Sequence, residues 1–313
     1  MPAKRVLVLG STGFAGGHFV AAARAGGHGV VTAARSEGAA DLVCDLLDPE
    51  SLASALAEAS PDAVVNLAGA ASVGRSWAEP AAAFAVNAAG ALNLLEAVAT
   101  VAPDAHVLCV SSGEVYGAPG QDELPLDEGA PVAPVNPYGT SKAAMELVCG
   151  QYARSAGLRV AVMRAFNHLG PGQSDAFAAS SFARQIATAE AEVGDRVELR
   201  TGDLAPERDF SDVRDIVRAY LLVLERELTG TFNVCRGEAT RLEAVVDELG
   251  RQSRLEVDVR VEAERLRPDE APRVFGSSER LREATGWRPQ IPLERTLADL
   301  LDWWREGSIG HTS

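Results

Sequence analysis

A tyrosine and a lysine lie four residues apart at Tyr138 and Lys142, which places both side chains on one face of a helix. An ammonium group beside a phenol stabilises the phenolate, so we expect Lys142 to lower the pKa of Tyr138. A tyrosine of this kind can donate a proton to a carbonyl oxygen that receives a hydride. A Tyr/Lys pair alone also occurs on ordinary solvent-exposed helix faces.

A third polar group precedes this pair along the chain. The predicted strand His106–Val110 is followed closely by Ser112 and Glu114. The carboxyl ends of parallel strands carry catalytic and ligand-binding groups, so we predict that Ser112 joins Tyr138 and Lys142 in one catalytic site. Glu114 is a further candidate acid or base. Its alternative role is that of a loop carboxylate in a hydrogen-bond network.

A glycine-rich turn follows the first predicted strand, Arg5–Leu9, and leads into an apolar helix with the spacing GxxGxxG. Such glycines let the backbone turn sharply and approach a pyrophosphate, which the free N–H groups of the helix N-terminus bind. The turn therefore predicts a dinucleotide site. Its predicted contacts are Gly10, Thr12, Gly13, Phe14 and Gly16.

The second predicted strand, Gly29–Ala33, ends without the acidic residue that binds the ribose 2′-hydroxyl of NAD. Arg35 follows instead, and an arginine can pair with a 2′-phosphate. The sequence therefore favours NADP(H), with NAD(H) and an ordinary exposed Arg35 as the alternative. Asp45 lies farther along and can accept a hydrogen bond from adenine or cap a turn.

Short Val/Leu strands alternate with longer helices through the first half of the chain, which predicts an α/β fold with a doubly wound parallel (Rossmann) sheet. We place this dinucleotide-binding domain at 1–166, with a return segment at about 210–236. A smaller α/β substrate domain is predicted at 167–209 and 237–313. The other predicted strands are Ala63–Leu67, Arg159–Arg164 and Gly230–Cys235. The predicted helices are Gly13–Ala25, Pro49–Glu58, Pro80–Val98, Pro137–Ala156 and Phe210–Glu225.

The 313 residues include 29 basic and 44 acidic ones, which gives a net charge of −15. This charge disfavours nucleic acid as a partner because the phosphate backbone binds basic surfaces. The alanine-rich stretch 81–102 contains Asn87, Asn93 and Glu96, so we predict no membrane segment. The four cysteines lie far apart without metal-ligand spacing. We therefore expect a cytoplasmic protein with no metal site.

The motifs together resemble the extended short-chain dehydrogenases/reductases, epimerase/dehydratase enzymes that modify nucleotide-activated sugars. The segments that carry this resemblance are Gly10–Gly16, Asn66-Leu67-Ala68-Gly69, Asn87, Ser112 and the YxxxK at Tyr138–Lys142. The resemblance implies that Ser112 hydrogen-bonds the reacting sugar oxygen, that Tyr138 transfers its proton, and that Lys142 also holds the nicotinamide ribose. It extends the predicted dinucleotide contacts to Leu46, Leu67, Ala68, Gly69 and Asn87. It also implies a homodimer packed through the helices Pro80–Val98 and Pro137–Ala156 as a four-helix bundle.

Within that family the chain is most similar to the branch that acts on GDP-mannose derivatives. The matching segments are 70–77, 164–173, 208–215, 267–270 and 285–289. A nucleoside diphosphate needs cationic partners, and Arg208 and Arg267 are the predicted anchors. An ion pair with Asp209 or Asp212 is the alternative for Arg208. The other predicted substrate-binding residues are Ser72, Arg75, Asn167, Arg184 and Glu270.

The resemblance implies that NADPH reduces the C4 keto group of GDP-4-dehydro-6-deoxy-D-mannose to give GDP-D-rhamnose. Gly113 favours this reaction, because 4,6-dehydration of GDP-mannose needs further acid and base groups near Ser112 and glycine offers none. Dehydration is the alternative, since Glu114 stands where dehydratases carry a glutamate. Two other hypotheses are an epimerase acting at sugar C4 and a module that senses NADP without turnover.

Overall fold

A seven-stranded parallel sheet lies at the centre of the structure, a computed structural model that describes residues 2–192, 194–265 and 271–309. The strands are β1 (Arg5–Leu9), β2 (Gly29–Ala34), β3 (Leu42–Val43), β4 (Ala63–Asn66), β5 (His106–Ser112), β6 (Arg159–Ala165), β7 (Asn167–Leu169), β8 (Arg196–Thr201), β9 (Glu207–Arg208), β10 (Phe210–Asp212), β11 (Gly230–Val234), β12 (Thr240–Arg241), β13 (Glu256–Val261) and β14 (Arg273–Val274). The strand order in the large sheet is β11-β6-β5-β4-β1-β2-β3. This order confirms the predicted doubly wound α/β fold.

Helices cover both faces of this sheet. They are α1 (Phe14–Ala25), α2 (Pro49–Ala59), α3 (Val73–Ala78), α4 (Pro80–Phe84), α5 (Gly90–Val101), α6 (Pro137–Ser155), α7 (Ala178–Glu190), α8 (Val213–Glu225), α9 (Leu242–Gln252), α10 (Glu279–Thr285) and α11 (Leu293–Ile309). Leu7 and Leu9 of β1 pack with α2, α5 and α6, while Val6 and Val8 pack with α1 and α8. Both faces of β1 are therefore buried, which explains why its apolar residues form a continuous run.

Two predicted helices are wrong in part. The predicted helix Pro80–Val98 is interrupted by a π-helical turn at Ala85–Ala89, which separates α4 from α5. The predicted helix Phe210–Glu225 begins only at Val213, because its first residues form β10 beside β7. Asp212 caps α8 by accepting a hydrogen bond from the Arg214 N–H, which explains where that helix starts.

A second layer contains the short strands and helices α7, α9 and α11. β8 pairs with β13, β7 with β10, and β9 with β12 and β14. Apolar side chains of the three helices form a separate core with β8. The strand β11 lies in the large sheet beside β6, so the chain returns to the first layer after β10. The domain boundaries given above stay predictions.

One stretch, Pro80–Val101, is long and apolar enough to span a membrane by length and composition, with a hydropathy of 1.5. Half of its apolar window is buried inside the protein, and α5 packs on α2 and α6. These contacts are those of a core helix in a folded domain.

Candidate active site

The predicted catalytic residues Ser112, Tyr138 and Lys142 converge at the carboxyl end of β5. Ser112 is the last residue of that strand, and the other two lie in the first turns of α6. This helix begins after Asn136, whose side chain accepts a hydrogen bond from the Gly139 N–H at 2.7 Å. Proline at the first helical position fits the same start.

Glu114 lies on the short 3₁₀ turn that follows Ser112. The side-chain amide of Asn136 donates to the Glu114 carboxylate at 2.7 Å, and the Glu114 N–H donates to the Ser112 hydroxyl at 3.2 Å. Asn136 therefore connects the start of α6 with the turn that carries Glu114. The sequence reasoning missed Asn136, although Asn before Pro is a typical helix start.

The pKa of Tyr138 is raised to about 12, so the expectation that Lys142 lowers it is wrong for this structure. Burial of the phenol is the main cause, and the nearby Glu114 charge acts in the same direction. A hydrogen bond with the Ser112 side chain opposes the rise. The Lys142 ammonium is 6.0 Å from the centre of the Tyr138 ring. Tyr138 is thus protonated at neutral pH, which is the form that donates a proton.

Lys142 is almost fully buried, and burial lowers its pKa to about 8. Its ammonium donates a hydrogen bond to the Val110 carbonyl of β5 at 2.8 Å. A charged lysine beneath a cleft can bind ribose hydroxyls and a partial negative charge on a neighbouring phenol.

Asn87, predicted as a dinucleotide contact, is held in the π-helical turn. Its amide donates to the Ala70 carbonyl at 3.1 Å and to the Ser141 hydroxyl at 2.9 Å, and its Oδ1 accepts from the Ala70 N–H. A Cβ at Gly69 would lie 2.7 Å from Asn87 Oδ1 and 3.4 Å from the Lys142 ammonium. The loop after β4 therefore packs closely on α6, and π-helical turns occur often at functional sites.

The glycine-rich turn is closely packed. Gly10 has a φ of +75°, and a Cβ there would lie 2.5 Å from the Ala68 nitrogen. A Cβ at Gly16 would lie 2.1 Å from the Gly10 carbonyl oxygen. The first turn of α1 has neither a side-chain cap nor an acidic residue. Its N–H groups are thus available to an anion, and these features fit the pyrophosphate of a dinucleotide.

Phe14 connects this turn with the second layer. Its ring stacks on His168 of β7 at 5.9 Å between ring centres, and His18 of α1 makes a hydrogen bond of 2.8 Å to the Pro171 carbonyl. Burial lowers the pKa of His168, and its Nδ1 is 3.0 Å from the Phe166 carbonyl oxygen. These contacts support a structural role for His168.

The part of the dinucleotide site that follows β2 is more exposed than the glycine-rich turn. Arg35 is exposed directly after β2 and forms no ion pair with any residue in the described ranges. The Ser11 hydroxyl donates to the Ala33 carbonyl at 3.2 Å, which fixes the turn against the end of β2. Asp45 accepts a hydrogen bond from the Leu47 N–H and so stabilises a local turn. Leu46 is buried beside Gly90 of α5.

The predicted substrate-binding residues are dispersed. Ser72 caps α3 and Arg75 pairs on the surface with Glu79 at 3.3 Å, while Arg184 pairs with Asp175 at 3.0 Å. Asn167 is exposed at the start of β7. Arg267 and Glu270 lie outside the described residues.

Arg208 is buried on β9, and one of its N–H groups donates to the Glu207 carbonyl at 2.8 Å. The two aspartates considered as its alternative partners bind other groups. Asp209 accepts from the backbone N–H of Arg236 at 2.8 Å, and Asp212 pairs with Arg214 at 2.6 Å. Burial raises the pKa of Asp209 to about 6.

The sequence profile of the GDP-mannose 4,6 dehydratase family matches residues 7–300. A GDP-6-deoxy-D-mannose reductase of Pseudomonas aeruginosa is 39% identical over 215 residues, which cover 68% of this chain and 70% of that relative. The chain belongs to the GDP-mannose 4,6 dehydratase family.

Solved structures with the fold of this family agree. RMD from Pseudomonas aeruginosa complexed with NADPH has a TM-score of 0.87 at 36% identity, over 97% of this chain and 99% of that one. UDP-glucose 4-epimerase of Thermus thermophilus in complex with NAD has a TM-score of 0.84 at 30% identity, over 96% and 99%. Relatives in this family and its neighbours are reductases, dehydratases and epimerases of nucleotide sugars. The chain is accordingly an enzyme of the nucleotide-sugar oxidoreductase type.

Proposed function

We propose that the protein catalyses the NADPH-dependent reduction of the C4 keto group of GDP-4-dehydro-6-deoxy-D-mannose to GDP-D-rhamnose. The carrying observation is the tight surroundings of Gly113, where a Cβ would lie 3.1 to 3.2 Å from the Phe166 ring. A polar side chain at this position therefore has little room. Reduction needs one proton donor at the keto oxygen, and Tyr138 supplies it.

Each catalytic side chain has a distinct role in this reaction. NADPH, when bound, supplies the hydride that reaches C4. The Ser112 hydroxyl donates a hydrogen bond to the keto oxygen and orients it toward Tyr138. Tyr138 gives its proton to that oxygen, which becomes the C4 hydroxyl. Lys142 holds the nicotinamide ribose, and its positive charge stabilises the phenolate left on Tyr138.

Dehydration of GDP-mannose is the second candidate function, and the place of Glu114 favours it. The Glu114 charge raises the pKa of Tyr138, so its carboxylate lies near the phenol. A carboxylate there can remove a proton from a bound sugar. In this structure the carboxylate accepts a hydrogen bond from the side-chain amide of Asn136.

The test follows nicotinamide absorbance with purified protein in two incubations. One contains GDP-4-dehydro-6-deoxy-mannose with NADPH or NADH, and the other contains GDP-mannose without added dinucleotide. Stoichiometric loss of NADPH with the keto sugar supports the reductase. Formation of a keto sugar from GDP-mannose without net loss of dinucleotide overturns it in favour of a dehydratase. Binding of NADPH without turnover of either sugar identifies a sensing module instead.

We expect Arg35→Ala to weaken NADPH binding by about 10-fold to 100-fold, because a charged hydrogen bond to the 2′-phosphate is worth about 1.5 to 3 kcal/mol. NADH lacks that phosphate, so its affinity should stay unchanged. Nucleotide fluorescence titration measures both constants. Arg24→Ala is the matched control, since Arg24 is also exposed and lies in the last turn of α1. Equal losses for NADPH and NADH would contradict the assignment of Arg35 to the phosphate.

A homodimer through a four-helix bundle is proposed from the apolar residues exposed on and beside α5 and α6. Leu147 of α6 is 75% exposed, and Leu92 of α5 is also exposed. Trp77 and Phe84 extend this apolar surface along α3 and α4. Helices α3, α4 and α5 each pack against α6, and large apolar side chains exposed on neighbouring helices are typical of a protein interface.

Leu147→Glu is expected to weaken dimerisation by about 100-fold, because the new carboxylate would be buried without a partner. Light scattering during size-exclusion chromatography should then give the mass of a monomer, while the wild-type protein gives that of a dimer. Val259→Glu serves as the control, since Val259 is exposed on β13 in the second layer. A monomer mass for the wild-type protein would contradict the dimer proposal.

A cytoplasmic location is proposed from the cysteines. All four are free thiols in the structure, and all are buried. Proteins of oxidising compartments usually pair their cysteines as disulfides.

A further inference from the structure

A buried ion pair joins α6, the helix that carries Tyr138 and Lys142, to the neighbouring strand β6. Arg164 of β6 and Glu146 of α6 are joined at 2.7 Å, with side chains 7% and 10% exposed. The contact is bidentate, because the Arg164 Nε also donates to both oxygens of Glu146 at 3.0 and 3.1 Å. Sequence reasoning treated Arg164 only as part of a matching segment and did not consider Glu146.

Three further hydrogen bonds extend this pair from β5 to β11. The Ser111 hydroxyl donates to the Glu146 carboxylate. Arg164 donates to the Tyr116 hydroxyl at 2.9 Å, and Tyr116 in turn donates to Asn233 of β11 at 2.7 Å. Every polar group in this chain of contacts therefore has a partner.

Three members of this network, Ser111, Glu146 and Tyr116, are next to part of the catalytic site along the chain. Ser111 precedes Ser112 on β5, and Glu146 lies one helical turn after Lys142 on α6. Tyr116 ends the 3₁₀ turn on which Glu114 is carried. The network thus ties together the strand end, the helix and the turn that supply the catalytic side chains.

Stability alone is a poor reason for such a pair. Removing two charges from water costs several kcal/mol for each ion, and apolar side chains of similar volume often stabilise a core as well or better. A buried pair between β6 and α6 does fix their relative position. Its carboxylate also places a negative charge one helical turn from the Lys142 ammonium.

We propose that Glu146 and Arg164 are positioning residues that hold the end of β5 and helix α6 in place around Ser112 and Lys142, and that the Glu146 carboxylate favours the ammonium form of Lys142 during reduction. The inference rests on the proposed function for its kinetic readout and on dinucleotide binding for a second one. The two charges of the pair have opposite effects on Lys142. The negative charge of Glu146 favours its ammonium form, and the positive charge of Arg164 disfavours it.

The titratable groups that face Lys142 come from two elements. On α6 they are Tyr138, Glu146 and Cys149, and on β5 the group is Cys109. Burial lowers the Lys142 pKa, while Cys109, Cys149 and then Glu146 act in the opposite direction, and Glu146 is the carboxylate among these three. The ammonium is lost as pH rises through about 8, so activity that depends on it falls on the basic side.

The test is a pair of variants with opposite expected signs. Glu146→Gln leaves Arg164 unbalanced, so the basic limb of kcat/KM against pH should move down by about one pH unit. Arg164→Met leaves Glu146 unbalanced, so the same limb should move up. The double variant should return close to the wild-type limb. NADPH affinity against pH, measured by fluorescence, should follow the same three shifts.

A matched control is Glu190→Gln, which removes the carboxylate of a partly buried ion pair, Glu190 with Arg305, from the second layer. It should lower the melting temperature without moving either pH profile. Lower activity at every pH, with the limbs unmoved in both single variants, would reduce the network to a structural role and overturn the proposal. If one single variant does not fold, the other still gives a signed shift, and the double variant should still match the wild-type limb.

The two proposals fail in different ways. Absence of keto-sugar reduction in the wild-type protein rejects the proposed function and leaves the NADPH profiles to decide the role of Glu146. Normal reduction with unmoved profiles rejects only the positioning role.

Discussion

Replacing Tyr138 with phenylalanine is expected to lower the rate of keto-sugar reduction by about 10³-fold, within the range of about 10² to 10⁴ for loss of a general acid. The ring would stay buried at the start of α6, so the helix and the NADPH site should be preserved. The substitution removes only the phenolic hydroxyl, which donates the proton to the keto oxygen. Stopped-flow loss of NADPH absorbance in a single turnover measures this step directly.

The pH profile adds a signed expectation for the wild-type protein. Burial raises the pKa of Tyr138 to about 12, so the phenol stays protonated and competent throughout the neutral range. Burial lowers the pKa of Lys142 to about 8, so its ammonium is lost first as pH rises. The fall of kcat/KM at high pH should therefore reflect deprotonation of Lys142. Lys142→Met should remove this dependence on pH.

Tyr152→Phe is the matched control for Tyr138→Phe, because Tyr152 lies on the same helix and packs against the core beneath it. It should change the rate by less than about 2-fold, because Tyr152 lies ten residues after Lys142 on α6 and does not donate the proton to the keto oxygen. A Tyr138→Phe variant that keeps more than about a tenth of the wild-type rate would assign proton donation to another group. Glu114→Gln would then be the next variant to measure.

Much of this site was predictable because its residues stand where regular elements end. The glycine spacing predicted the turn after β1, and the strand pattern placed Ser112 at the end of β5. The four-residue spacing of Tyr138 and Lys142 fixed their common helix face. Local sequence is sufficient for such features, since the chemistry and the element boundary lie within a few residues of each other.

Features that depend on distant contacts were not predictable. The π-helical turn at Ala85–Ala89 gives no distinct sequence pattern, and Asn87 is held there by Ala70 and Ser141. The direction of the Tyr138 pKa shift depends on burial by the whole fold, and the spacing to Lys142 indicated the opposite sign. Propensity and periodicity carry no information on how deeply a group is buried.

The network around Glu146 and Arg164 was missed for a similar reason. Their sequence separation is 18 residues, and they meet only because β6 pairs with β5 next to α6. One local signal existed, because Glu146 repeats the four-residue spacing of Tyr138 and Lys142 along α6. That spacing predicted a shared helix face and gave no indication of a buried arginine opposite it.

Gly16→Ala is expected to impair folding and dinucleotide binding together, because helix α1 approaches the glycine-rich turn there without room for a methyl group. The new Cβ would lie 2.1 Å from the Gly10 carbonyl oxygen, a backbone atom that cannot rotate away. Overpacking of this kind costs about 3 kcal/mol. The same displacement of the helix N-terminus should weaken NADPH binding by about 100-fold.

The neighbouring Gly17 makes the test specific, because it lies in the same helix and a Cβ there meets nothing within 4 Å. Gly17→Ala should raise stability by about 1 kcal/mol, since alanine is the better helix former, and should leave NADPH affinity unchanged. Thermal unfolding and fluorescence titration of the two variants separate helix propensity from close approach. Matching melting temperatures and NADPH affinities for both variants would show that the turn tolerates a side chain at Gly16. The dinucleotide would then be bound without close contact between the helix and the turn.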